Sequence, residues 1–155
     1  MIAFADTSLL CAIYREQEDS VEADGLMSGR NTPLAISSLV AFEFRQSVRL
    51  QIFRFSSDRR QGFSGEEASK MLAKFDANLA AGALEILPVT WPDVYSLGER
   101  LSARSTATGG HRSLDLLHVA TALHCRAGEF LTFDENQACL ARANGLSVRP
   151  CGGRR

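Results

Sequence analysis

Short apolar runs alternate along this chain with longer stretches in which apolar side chains recur at helical spacing. The first run, "IAFA" at residues 2–5, stops at Asp6 and reads as a buried strand. Residues 7–15 and 20–28 follow with helical periodicity. "PLAISS", from Pro33, is a second apolar strand that leads into a helix over 39–55. From Ser64, "SGEEASKMLAKFDANLAAG" has a serine cap, early glutamates and a glycine stop, which together predict a helix. "ALEILPVT" supplies a third strand and "WPDVYSLGERLSAR" a further helix. "RSLDLLHVATALHCRAG" predicts a helix closed by Gly128, and "EFLTF" a fourth strand. "DENQACLARANG" predicts a short helix and "LSVRP" a last strand. Segment 53–63, "FRFSSDRRQGF", is expected to be an exposed or mobile loop.

Strands separated by helices imply right-handed crossovers and a mostly parallel sheet covered on both faces. The expected architecture is a three-layer α/β/α sandwich with about five strands. At 155 residues the chain has the length of one domain, read as 1–150 with a short tail at 151–155. In open parallel sheets, ligands gather at the carboxyl ends of the strands. That edge is where chemistry is expected.

Composition narrows the classes without choosing among them. Hydrophobic residues make up 45% and charged residues 23%, as in ordinary globular proteins. No stretch reaches the roughly 18 apolar residues of a membrane span, and no basic region precedes the first apolar run. A cytoplasmic protein is expected. The four cysteines form no C-x-x-C pair and have no histidine at zinc spacing, so they read as reduced thiols. The formal net charge is −1, but the cations are lopsided, with fifteen Arg against Lys70 and Lys74. Arginine is the better planar donor to phosphates, although codon bias gives the same imbalance.

Four acids change the picture. Asp6 and Asp134 end the first and fourth strands, so in a parallel sheet they face the same edge. Either one alone reads equally well as an N-cap for the helix that follows. Glu43 sits in "SSLVAFEFRQSV", among apolar neighbours in the first turns of a helix. Its nearest arginines, Arg45 and Arg49, are not at the favourable i+4 spacing. Asp115 lies in the first turn of an apolar helix, where the dipole favours an acid, although Ser113 already offers a cap. Four carboxylates aimed at one cleft repel each other unless a cation neutralises them. All are hard oxygen donors with no His or Cys at transition-metal spacing, which suits Mg²⁺ or Mn²⁺.

The series "ADTS", "SSLVAFEF", "RSLDLLHVATA" and "LTFDENQ…LARANGL" resembles the PIN domain, and most nearly the VapC-type toxins of bacterial toxin–antitoxin pairs. The likeness covers nearly the whole chain; residues 53–82 carry no matching pattern. It implies an endoribonuclease dependent on Mg²⁺ or Mn²⁺ that cleaves single-stranded or loop RNA by metal-activated water. Asp6, Glu43, Asp115 and Asp134 then occupy the catalytic positions, with Asp6, Asp115 and Asp134 holding the metal. Thr7 or Ser8 matches a supporting hydroxyl after the first acid. Thr132 matches a hydroxyl before the last acid, and Gln137 a common residue of the next helix. A small cognate antitoxin covering the groove and a homodimer are implied as well.

Other residues have weaker claims. Arg45, Arg49 and Arg112 are candidates for meeting RNA electrostatically; Arg112 could equally meet a neighbouring acid. His118 lies on the same side of its helix as Asp115 and reads as a histidine packed at the edge of the core, with general base as the alternative. Two rival functions stand beside the nuclease. One is a PIN-fold scaffold that binds RNA or protein without cutting. The other is a haloacid-dehalogenase-like phosphatase, whose nucleophile motif "FADTS" resembles. That class needs a second aspartate where Ser8 stands and a catalytic lysine, whereas both lysines lie in the middle helix.

Overall fold

The computed structural model describes residues 1–15 and 18–150. Five short strands, β1 (Ala3–Ala5), β2 (Leu34–Ile36), β3 (Leu84–Ile86), β4 (Glu129–Leu131) and β5 (Ser147–Arg149), form one sheet in the order β3-β2-β1-β4-β5. Every neighbouring pair is parallel, with Phe4 opposite both Ala35 and Phe130. β1, β2 and β4 are buried along their whole length. This is why β1 and β2 run apolar instead of alternating, while in β4 the buried Glu129 is paired with Arg30 and Arg149.

Seven helices connect the strands. α1 (Thr7–Tyr14), α2 (Ser20–Ser28), α3 (Ser38–Ser57) and α4 (Gly65–Ala80) pack among themselves, and so do α5 (Trp91–Gly109), α6 (Ser113–His124) and α7 (Glu135–Ala143). The two groups flank the sheet as the outer layers of an α/β/α sandwich. The first group closes on a ring cluster of Tyr14, Phe44 and Phe75, with centroids 4.8–5.6 Å apart. Phe44 and Phe75 are fully buried, and the Tyr14 hydroxyl accepts a hydrogen bond from Asn78 at 2.7 Å. Each phenylalanine contributes about 1.5–3 kcal/mol by burial. Phe4 and Phe130 stack across the β1–β4 pair in the central sheet.

Three boundaries depart from expectation. α3 runs to Ser57, so residues 53–57 are helical and only 58–63 remain of the expected loop. That remnant is pinned: Gly62 has φ +66°, and a Cβ there would stand 2.1 Å from the Gln51 carbonyl oxygen. α5 continues to Gly109, past the arginine where the sequence pattern fades, and ends on Gly110 in the left-handed region. α6 stops at His124 instead of reaching Gly128. Its chain reversal is made by Arg126, at φ 54°, while Gly128 takes its place beside Met1. The expected tail, 151–155, lies outside the described residues. Among the described residues, no helix is long and apolar enough to cross a membrane.

Candidate active site

All four acids lie at the carboxyl edge of the sheet or on helices that start there. Asp6 follows β1 directly. It is fully buried and caps α1, its Oδ1 accepting the Leu9 N–H at 3.0 Å. The Ser8 hydroxyl donates to both of its oxygens, at 2.7 and 2.9 Å, and the Thr132 hydroxyl donates to Oδ2 at 2.8 Å. Burial pushes the Asp6 carboxyl above its ordinary value. The hydrogen bonds from Leu9, Ser8 and Thr132 and the nearby His118 oppose that rise without cancelling it.

Thr132 and Ser8 carry the link onward. Thr132 accepts the Asp134 N–H at 2.9 Å, and Ser8 accepts the Phe133 N–H at 2.8 Å. The two hydroxyls are thus shared between the ends of β1 and β4. Asp134 caps α7 through the Gln137 N–H, 3.0 Å from its Oδ1. The N-cap reading therefore holds geometrically for Asp6 and Asp134, and for each acid it uses one oxygen only.

Asp115 is buried at the start of α6. Its Oδ2 accepts the Arg112 N–H at 3.2 Å, so this acid does secure the helix start, a duty the sequence had assigned to Ser113. Ser113 is instead the first helical residue. The Arg112 guanidinium grips the same carboxylate through Nε and Nη2, at 3.0 and 3.3 Å. The same Nη2 reaches Asp134 Oδ2 at 3.4 Å. One exposed cation therefore spans Asp115 and Asp134. Its hydrogen bonds and charge contact with Asp115, and then the charges of Asp134 and Glu43, hold Arg112 more firmly protonated than usual. Gln137 completes this side, its Nε2 donating to Asp115 Oδ1 at 3.3 Å, while its buried Oε1 has no partner.

Glu43, on α3, is held differently. Thr7 donates to its Oε2, and His118 Nε2 lies 2.6 Å from the same oxygen. Desolvation raises the Glu43 carboxyl, but the contacts from His118 and Thr7 and the charges of His118 and Arg112 outweigh it. The result is a value below the ordinary glutamate range. The sequence placed His118 at the edge of the core; it is 1% exposed and faces Glu43. The available signal was its position three residues after Asp115. Its partner, however, lies 75 residues away in sequence.

The candidate arginines separate. Arg45 pairs with Asp76 at 2.7 Å and lies over the Phe75 ring, tying α3 to α4. Arg49 is exposed on α3, and Arg112 belongs to the acid network.

The donors suit a hard divalent cation: carboxylate oxygens from Asp6, Asp115 and Asp134, with an unpartnered buried amide oxygen on Gln137. A guanidinium already answers the demand for positive charge between two of them. In this arrangement no group of three or more His, Cys, Asp or Glu among the described residues is set to hold a metal ion. The fit thus lies in donor chemistry, with Arg112 seated where Asp115 and Asp134 converge.

The family model for the PIN domain matches residues 3–143. Among solved structures, VapBC2 from Rickettsia felis bound to a DNA fragment from their promoter is similar. Its TM-score is 0.66 at 20% identity, over 96% of this chain and 98% of that one. FitAcB from Neisseria gonorrhoeae gives 0.65 at 18% identity, over 96% of each chain. PAE2754 from Pyrobaculum aerophilum gives 0.55 at 14%, over 96% and 89%. Searched against curated proteins, the sequence finds no match. At these identities the structural likenesses speak for the fold.

Proposed function

The chain belongs to the PIN domain family, and on that premise we propose that it is a metal-dependent endoribonuclease, the toxin of a toxin–antitoxin pair. One observation carries the proposal: the acids share partners at a single sheet edge. Thr132 links Asp6 to Asp134, and Arg112 links Asp134 to Asp115. Glu43 joins through His118, which also acts electrostatically on Asp6.

Asp6, Asp115 and Asp134 would hold Mg²⁺ or Mn²⁺. The ion supplies charge that offsets the clustered carboxylates and the phosphodiester, and it acidifies water. The protein's own groups do the rest. Ser8 and Thr132 fix the Asp6 oxygens, and Glu43, ionised at neutral pH, is oriented to accept a proton from an attacking water. In-line attack on the phosphodiester then leaves a 3′-hydroxyl and a 5′-phosphate. Arg112, once released from the acids, is free to meet a phosphate. The likeness of the motifs to VapC-type toxins, with VapBC2 among the structural neighbours, supports a small antitoxin as partner and single-stranded or loop RNA as substrate. A homodimer and a cytoplasmic location belong to the same proposal.

The test is cleavage of total RNA with Mg²⁺, with Mn²⁺ and with EDTA, comparing wild type and Asp6→Asn. Cutting that requires metal and disappears in the variant is the expected result. Folded, antitoxin-free protein that cuts under no metal would favour the scaffold reading.

A further inference from the structure

Within that ribonuclease reading, we propose that His118 is a positioning residue for Glu43, acting with Thr7 to fix which carboxylate oxygen is free for the reaction. Three elements meet here: Thr7 opens α1, Glu43 lies on α3 and His118 on α6. Both side-chain donors go to Oε2 of Glu43. Among the described residues, no hydrogen bond reaches Oε1. An ionised carboxylate only accepts, so Nε2 is a protonated nitrogen in this contact. The other ring nitrogen, Nδ1, is buried without a partner. A buried histidine used only for packing has no reason to spend its one bond on a partly exposed acid and leave Nδ1 unmet. The side chain of Glu43 is 30% exposed against 1% for His118. The ring is therefore the fixed element, and the carboxylate is the group it steers.

The two nitrogens can be separated by substitution. His118→Gln puts an N–H donor at the same bond distance from the backbone as Nε2, whereas His118→Asn supplies one only at the Nδ1 position. His118→Asn is expected to lower kcat by about 10- to 100-fold with KM within about threefold, the scale of a misplaced catalytic group. His118→Gln should recover most of that loss. In a Glu43→Gln background, His118→Asn should add less than about threefold, because the group it steers is already disabled. Thermal melts accompany each assay, and Thr7→Val against Thr7→Ser repeats the comparison from α1 should His118→Asn fail to fold.

If wild type cuts and Asp6→Asn does not, yet His118→Asn is as active as wild type, the positioning role is overturned and the nuclease stands. Equal losses from His118→Asn in the wild-type and Glu43→Gln backgrounds overturn it as well, because His118 then acts independently of Glu43. If wild type cuts nothing, the nuclease reading falls and the positioning role falls with it.

Discussion

Asp6→Asn should stabilise the metal-free protein while abolishing cleavage. The wild-type carboxylate is fully buried, and burial lifts its pKa above the ordinary 3.8. The folded state therefore holds the proton more tightly than the unfolded chain. Stability from that proton is complete below the unfolded value and is lost as pH rises through the raised folded value. At neutral pH Asp6 is thus a cost to folding. Asparagine removes the charge and can keep the bonds. Its Oδ1 still caps Leu9, since asparagine caps as well as aspartate. The new amide N–H₂ at the Oδ2 position can donate to Thr132 if that hydroxyl turns toward Ser8, 3.2 Å away. Relief of about 1 kcal/mol is the scale found when a functional group is traded for stability. It corresponds to a rise in Tm of about 2–4 °C for a chain of this size. Melts in EDTA should show this gap at pH 7 and its closure as pH falls toward 4. Adding Mn²⁺ should raise the wild-type Tm and leave the variant's nearly unmoved. A variant that melts several degrees below wild type at neutral pH would refute the reasoning, because the charge would then be fully compensated and Asp6 would be a structural cap.

Arg112→Gln should tighten Mn²⁺ binding by about threefold in calorimetry, the scale of losing an exposed ion pair that competes for the same acids; weaker binding would make the arginine a helper of the metal site. Phe75→Ala empties the centre of the Tyr14–Phe44–Phe75 cluster and should cost about 3–5 kcal/mol in urea unfolding. Gly62→Ala should cost about 1–3 kcal/mol in the same assay, from left-handed strain and from the clash with the Gln51 carbonyl.

β1 and β2 were legible because they are buried on both faces and read as short apolar runs set off by Asp6 and by Ser37. Ser64 announced α4 because its capping box with Glu67 is local, complete within three residues. The end of α6 was not legible. A glycine at position 128 looked like a helix stop, but the left-handed turn is made by Arg126, a residue type that gives no such signal. The extension of α3 through residues 53–57 rests on Asp58, whose N–H bonds the Arg54 carbonyl at 2.8 Å, and on Arg59 lying over the Phe55 ring. The first is a backbone bond and the second joins side chains that read as loop-like, so neither shows in the apolar pattern. Asp6, Asp115 and Asp134 could be picked out because each begins a helix beside an apolar run. His118 and Arg112 stood only as weaker candidates, because Glu43 and Asp134 are brought to them by the sheet order alone.

Helix starts also explain how so much negative charge is tolerated at one edge. Asp6, Asp115 and Asp134 each give an oxygen to a backbone N–H at the first turn of α1, α6 or α7. There the unpaired amides and the helix dipole favour an anion. These three carboxylates are placed by the backbone itself, and the rigidity of the sheet passes directly to them. Glu43 lies deeper in α3, beyond the free N–H groups of the first turn. No backbone donor can hold it, so side chains must, and Thr7 and His118 come from the two helices that are in turn anchored by Asp6 and Asp115. Glu43 is thus positioned at second hand by Asp6 and Asp115. A change that loosens the start of α1 or α6 will be felt at Glu43 even when Glu43 and its own helix are untouched.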